Sequence, residues 1–145
     1  MTETVSPLAP SERLSVLARM TPARLAAEAE ALLPELGEIE VLQSRSGLVM
    51  LPMRDTVMGT DFHLGEVLVS EAHIRLPGGV QGYGMITGHD LERAMAMAVI
   101  DAGFAAGIGG ARLPAAVAEE AARQAAEDRE TLREIEATRV NMETF

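Results

Sequence analysis

The sequence contains no cysteine, no lysine and no tryptophan. Without cysteine the chain cannot form disulfides, a thiolate nucleophile, a cysteine-based zinc site or the usual ligand set of an iron–sulfur cluster. Any redox or radical chemistry connected with this chain therefore belongs to another protein. We expect no cofactor in the chain itself.

Positive charge is scarce. The chain has twelve arginines and 22 acidic residues, which gives a formal net charge of −10. Binding to phosphate backbones depends on clustered lysine and arginine, so the composition argues against a nucleic-acid partner, and the same count disfavours an anionic membrane surface. Aromatic residues make up only 3 %, so the core must be built from aliphatic side chains and the nine methionines.

The size and balance of the chain predict one globular domain. Its 145 residues suit a single domain over 1–145, and 48 % hydrophobic with 23 % charged residues is a folding composition. The first residues carry neither a basic segment nor an apolar run of the kind that directs secretion. We therefore expect the protein in the cytoplasm.

Caps and breakers divide the chain into an α+β fold. Ser11 and Thr21-Pro22 begin two short helices that end near Pro34 and Gly37. Alternating apolar residues then predict an antiparallel four-stranded meander, flanked by this N-terminal helix pair and by two C-terminal helices. The predicted strands cover residues 39–42, residues 48–53, a longer segment through Ala72, Ile74 and Leu76, and residues 80–87, with Arg45-Ser46-Gly47 and a loop at about 55–61 as breaks.

The first C-terminal helix is apolar on all sides. Asp90 is its predicted N-cap, the helix runs from Leu91 to about Phe104, and the last helix runs from Leu113 to about Thr138. From Ala94 to Ala111 the only charge is Asp101, but alanine and glycine keep the hydropathy too weak for a membrane span. Such a helix is buried on two sides, and another subunit is a candidate for the second side.

The three histidines do not form a recognisable metal site. His63, His73 and His89 lack metal-ligand spacing. His63 is either a ligand-facing group or, as we favour, a loop histidine bonded to backbone. For His73 a surface network with Glu71 and Arg75 is favoured. His89 beside Asp90 resembles a base with its orienting acid, although the N-cap role explains Asp90 better.

The glycines do not form a phosphate-binding loop. No GxxxxGK[ST] and no GxGxxG opening a helix is present, and no GxSxG marks a nucleophilic serine. Gly82 and Gly84 lie within a predicted strand, where a bulge or a close backbone approach explains them. The residues alone indicate no self-sufficient active site, no catalytic residue and no metal site.

A series of short motifs runs through the middle of the chain. Its elements are Gly47–Met50 with Arg54; Gly59, Thr60, Phe62, Gly65 and Glu66; Ala72, Arg75, Leu76 and Gly79; Gly82 or Gly84 onward to Gly88 and Asp90; and a helix ending in Ile100-Asp101-Ala102. The order and spacing of these elements resemble the PhnG family, a subunit of the bacterial carbon–phosphorus lyase core complex. The chain departs from the family at Thr56–Met58, at His89, where arginine is usual, and at Arg93–Met95.

The resemblance implies an accessory subunit that works with PhnH-, PhnI- and PhnJ-like partners in phosphonate catabolism. It implies support for a PhnI-like subunit in joining a phosphonate to the ribose of ATP with loss of adenine, while radical cleavage of the carbon–phosphorus bond belongs to a PhnJ-like subunit. The implied binding or interface residues are Arg54, Gly59, Thr60, Phe62, His63, Gly65, Glu66, Arg75, Gly88, His89 and Asp90.

Two alternatives remain open at this point. A stand-alone domain that binds nucleotide or phosphonate would use the loop from Gly59 to Glu66 as the lip of its ligand site. A homo-oligomeric structural protein would instead bury Ala94 to Phe104 against its own copies.

Overall fold

The computed structural model describes residues 9–54, 57, 59 and 61–143. The elements in chain order are α1 (Pro10–Arg19), α2 (Pro22–Leu36), β1 (Glu40–Arg54), β2 (Asp61–Arg75), β3 (Gln81–Thr87), α3 (Leu91–Ala105) and α4 (Arg112–Glu143). The strands form one antiparallel sheet in the order β1-β2-β3. The α+β class is therefore confirmed.

The prediction of four strands is wrong, because the described residues form three. The two strands expected around Arg45-Ser46-Gly47 are a single strand, β1, in which Arg45 pairs with Glu71 and Gly47 pairs with Val69. Gly47 has no positive φ. Serine and glycine usually signal a turn, but here the ladder with β2 keeps both residues extended.

Helix α3 is the centre of the fold. It lies on one face of the sheet and is covered on its other side by helices from the same chain, so that Ala94, Met97 and Ile100 are buried. The side chains of Leu32 in α2 and Leu113 in α4 both lie within 4 Å of where a Cβ of Gly103 would be. The expectation that another subunit covers the second side of this helix is therefore wrong.

Two glycines of β3 allow α3 to lie directly on the sheet. A side chain at Gly82 would meet the carbonyl oxygen of Ala98, and one at Gly84 would meet the carbonyl oxygen of Ala94. The predicted close backbone approach is confirmed. This approach explains why two positions inside β3, where β-branched residues are usual, are glycines.

A buried ion pair connects α1, α3 and the edge of the sheet. Asp101 accepts hydrogen bonds from Arg13 Nε at 2.9 Å and Nη2 at 2.7 Å, and its other oxygen accepts the backbone N–H of Tyr83 at 3.0 Å. The Arg13 guanidinium also lies 4.3 Å from the centre of the Phe104 ring. The Tyr83 N–H on the outer edge of β3 is thus hydrogen-bonded by Asp101, the charged residue in the apolar part of α3.

Helix boundaries follow most of the predicted signals. Asp90 caps α3, since its Oδ1 accepts the N–H of Arg93 at 3.1 Å, and α2 ends at Gly37, whose φ is +76°. Helix α4 is longer than predicted. Every residue from Ala125 to Thr138 is exposed. No helix in the described part of the chain is long and apolar enough to cross a membrane.

Candidate functional site

Strands β1 and β2 extend well past the third strand as a two-stranded ribbon. Strand β3 pairs with β2 only from Val69 to Arg75, whereas β1 and β2 stay paired as far as Arg54 and Asp61. We call residues 47–54 with 61–68 the hairpin arm. At about 3.3 Å per residue, its seven paired positions project roughly 23 Å from the body of the protein.

The hairpin arm carries five of the eleven residues that the sequence singled out as binding or interface candidates. Opposite pairs are Arg54 with Asp61, Phe62 with Met53, His63 with Pro52, Gly65 with Leu51 and Glu66 with Met50. Gly59, with a φ of +69°, lies in the connection between the strands and is exposed. Thr60 and the side chains of Arg54, Phe62 and His63 lie outside what the structure describes.

His63 belongs to strand β2 and not to a loop. The favoured prediction of a loop histidine is therefore wrong about its position. His63 is paired with Pro52 in the ladder with β1, next to a register shift between Leu51 and Pro52. Proline at such an irregularity agrees with its missing backbone donor.

Large apolar side chains of the hairpin arm face solvent. The exposed fractions are 64 % for Leu48, 42 % for Val49, 53 % for Met50 and 40 % for Leu68. Successive residues of a strand point to opposite faces, so Leu48 and Val49 expose opposite faces of the ribbon. Exposed apolar residues are ordinary when single, but a contiguous group of them is typical of an interaction site.

A polar cluster joins the base of the hairpin arm to the start of α3. Ser70 is fully buried, donates its hydroxyl hydrogen to the carbonyl oxygen of Gly88 at 2.7 Å and accepts the backbone N–H of Asp90 at 2.9 Å. Ser46, directly opposite Ser70 in the ladder, lies 2.8 Å from it. The N–H of Gly88 binds the carbonyl oxygen of Leu68 at 2.8 Å.

The hydrogen-bond pattern of this cluster fixes which ring nitrogen of neutral His89 carries its hydrogen. Because Ser70 gives its only hydrogen to Gly88, Ser46 must donate to Ser70. Ser46 can then only accept from His89 Nδ1, 2.9 Å away, so the hydrogen of neutral His89 is on Nδ1 and its exposed Nε2 is an acceptor. His89 therefore cannot activate Ser46 as a nucleophile. Asp90 serves α3 as its cap, which confirms the favoured role.

Arg75 lies at the opposite end of the sheet. It pairs with Glu40 across the ladder, with Nη2 2.6 Å from Glu40 Oε2. Arg75 lies nine positions along β2 from Glu66, which at about 3.3 Å per position is roughly 30 Å. The structure thus brings Gly88, His89 and Asp90 to the base of the hairpin arm, but it does not bring Arg75 there.

The outer face of the sheet carries a second polar network. Tyr83 donates its hydroxyl to Glu71 at 2.6 Å, and Arg45 donates to the other oxygen of Glu71 at 2.6 Å. Burial and the hydrogen bond to Glu71 raise the pKa of Tyr83 to about 12, while the hydrogen bonds from Tyr83 and Arg45 lower the pKa of Glu71. His73 binds Gln81 at 2.7 Å and meets the edge of the Tyr83 ring. His73 thus lies in a surface network, as we favoured, but its partners are Gln81 and Tyr83, while Arg75 pairs with Glu40.

Concave surfaces among the described residues are shallow. One of about 530 Å³ is lined by Arg75 and Pro77 at the far end of the sheet. Another of about 360 Å³ lies over Gly47 beside Met85, and one of about 450 Å³ lies between α1 and β3. No group of three histidine, aspartate or glutamate side chains within the described ranges could hold a metal ion. The prominent feature is instead the hairpin arm.

Sequence reasoning missed Ser46, Ser70 and the exposed apolar pair Leu48 and Val49. The signal for the serines exists only in the pairing of β1 with β2, because each serine alone is an ordinary strand residue. Leu48 and Val49 were predicted only as part of a strand over 48–53. An apolar run in the sequence does not show that, among the described residues, no helix covers this end of the sheet.

Comparison with known proteins adds a family to this geometry. Residues 10–145 match the family described as "Phosphonate metabolism protein PhnG". A relative from Rhizobium meliloti (strain 1021) is described as "Alpha-D-ribose 1-methylphosphonate 5-triphosphate synthase subunit PhnG". It is 36 % identical over 134 residues, which cover 92 % of this chain and 86 % of the relative.

Proposed function

Because the chain belongs to the PhnG family of phosphonate metabolism proteins, we propose that it is an accessory subunit of an α-D-ribose 1-alkylphosphonate 5-triphosphate synthase. The single observation that carries this proposal is the match over nearly the whole length of both chains. In the proposed reaction a phosphonate oxygen bonds to C1 of the ribose of ATP. The bond from C1 to adenine breaks, adenine leaves with the electron pair and takes up a proton, and the triphosphate stays on the sugar.

The role proposed for this chain is to support a catalytic partner. The polar groups at the base of the hairpin arm are engaged in the fold, since Asp90 caps α3 and the hydroxyl of Ser70 binds Gly88. The proposed partners are PhnH-, PhnI- and PhnJ-like subunits, with the nucleosidase-like chemistry in the PhnI-like chain. We place the complex in the cytoplasm, where ATP is available.

Cleavage of the carbon–phosphorus bond belongs, in this proposal, to another subunit. The sequence has no cysteine to hold an iron–sulfur cluster. We therefore propose that this chain holds no cofactor of its own. A stand-alone ligand-binding domain is less well supported, because the depressions described above are open and shallow.

The test is a deletion of this gene in the native host, combined with purification of a tagged copy. We expect the deletion strain to grow on phosphate but not on methylphosphonate as sole phosphorus source, and the tagged copy to restore growth. The tagged chain should copurify with the other subunits, and the complex should release adenine from ATP only when a phosphonate is present. Normal growth of the deletion strain on methylphosphonate would refute the proposal.

A further inference from the structure

We propose that the hairpin arm inserts into an apolar cleft of a different subunit of the synthase, which covers both faces of the ribbon. This inference rests on the proposed function. It adds which surface of the chain enters the complex and what shape the partner must have.

The two apolar faces of the hairpin arm require a cleft and not a flat surface. Leu48 and Met50 expose 64 % and 53 % of their surface on one face, and Val49 exposes 42 % on the other. A flat partner would cover one face and leave the other in water. Walls on both sides remove both sets of side chains from water at once.

The long edges of the ribbon point to the same arrangement. Strand β1 is an edge strand, and past Val69 β2 has no third strand beside it in the described part of the chain. Unpaired backbone N–H and C=O groups along an exposed apolar strand favour pairing with another strand. A cleft that presents one strand edge to the ribbon would satisfy the groups along one of these two edges and fix the register of insertion.

Charge decides between a different subunit and a second copy of this chain. In the ten residues Gly47–Leu51 and Gly65–Val69 only Glu66 is charged. Each copy carries a net charge of −10, so two copies held together at this apolar contact would repel one another. The occupant is therefore a different chain with an apolar cleft.

The absence of native cysteine gives a direct test. Single cysteines are placed at Leu48→Cys and Val49→Cys, one for each face, and at Leu33→Cys on α2 as a matched control, since Leu33 is 44 % exposed. Each variant is allowed to react with a maleimide, alone and in the assembled complex, and its modification is read from the mass of this chain. We expect protection of at least about tenfold at 48 and 49 in the complex, and none at 33, because the core of an interface excludes water.

Four outcomes would overturn the inference. Reactivity at 48 or 49 that is unchanged by assembly means that the corresponding face is not covered. Protection that already develops in the isolated chain as its concentration rises means that a second copy is the occupant. Equal protection at 33 means that shielding is not particular to the hairpin arm. Failure of the wild-type chain to assemble with the other subunits would refute the proposed function as well, which separates the two conclusions.

A charged substitution measures the same contact without labelling. Leu48→Asp should weaken copurification with the other subunits at least about tenfold, as expected for a central apolar contact, whereas Leu33→Asp should leave it unchanged. The circular dichroism of both variants should match that of the wild type, because both positions face solvent. A Leu48→Asp variant that assembles normally would overturn the inference and leave the proposed function intact.

Discussion

Gly84 occupies a position where the sheet and α3 leave no room for a methyl group. A Cβ there would meet the carbonyl oxygen of Ala94 and the Cβ of Met97, both on α3. We expect Gly84→Ala to lower the free energy of unfolding by about 1–3 kcal/mol, since overpacking displaces backbone. Chemical denaturation measures the change.

Gly47 is the matched control for this substitution. Its added Cβ would meet nothing within 4 Å, and its φ is not positive. We expect Gly47→Ala to change the free energy of unfolding by less than about 0.5 kcal/mol. Equal effects at the two positions would contradict the close approach of α3 to β3.

Tyr83 is the only tyrosine of a chain without tryptophan, so its ionisation can be followed alone by ultraviolet absorbance. Its pKa is raised to about 12 by burial and by its hydrogen bond to Glu71. Because this value exceeds the ordinary value near 10, the associated stability is complete below pH 10 and is lost as the pH rises through 12. We expect the phenolate absorbance of the folded chain to appear about two pH units later than that of the unfolded chain.

Glu71→Gln is the control for the tyrosine titration. It removes the carboxylate that accepts the Tyr83 hydroxyl, and we expect the pKa of Tyr83 to fall toward its ordinary value. An unchanged titration in this variant would show that burial alone shifts the pKa.

At the scale of the element, α4 divides into a docked half and an exposed half. The docked half is fastened by buried Glu120, which binds Arg24 at 3.0 Å, and by Gln124, which donates to the carbonyl oxygen of Val16 at 2.9 Å. Arg19 binds Asp128 through two contacts of 2.9 Å and 3.0 Å. Beyond this pair, the residues as far as Thr138 are exposed.

Shortening the chain tests this division. A chain that ends at Arg129 keeps all three attachments, and we expect its free energy of unfolding to stay within about 0.5 kcal/mol of the full chain. A chain that ends at Ala118 loses Glu120 and Gln124, and we expect it to be much less stable because Arg24 and the Val16 carbonyl lose their partners. Comparable losses in the two chains would mean that the second half of α4 packs on the body.

Elements with local signals were predictable from the sequence. Asp90 caps α3 and Gly37 ends α2 because capping and positive φ depend on neighbouring residues only. The break expected at Arg45-Ser46-Gly47 failed because pairing with β2 overrides the turn preference of serine and glycine. The partner of α3 was misassigned for a related reason. An apolar helix shows that it is covered on both sides, but not by which chain.

The candidate site was likewise predictable only in part from the sequence. The family motifs pointed to Gly59, Gly65 and Glu66, and the structure places them in one hairpin arm or its connection. Arg75 belongs to the same series of motifs but lies at the far end of the sheet. Linear order could not separate them, because distance along an antiparallel ladder depends on the register.

At the scale of the whole molecule, high negative charge and an exposed apolar hairpin arm oppose each other. The sequence has an isoelectric point of about 4.7, so the repulsion between copies fades as the pH falls toward that value. We expect light scattering of the isolated chain to increase from pH 7 to a maximum near pH 4.7. Leu48→Asp should reduce this scattering, since it replaces an apolar side chain that is 64 % exposed by a charged one. Scattering that does not depend on residue 48 would show that another surface causes the association.

The hairpin arm also has a consequence for the order of folding. Its strands are neighbours in sequence, and a hairpin closes in about 1–10 μs. The contacts that complete the body join residues 88 and 109 positions apart, namely Arg13 with Asp101 and Arg19 with Asp128. During synthesis the ribbon is therefore able to form before α3 and α4 have left the ribosome. A chain that folds in this order exposes the apolar hairpin arm before its body is complete. This order favours synthesis of the partner subunit nearby and at the same time.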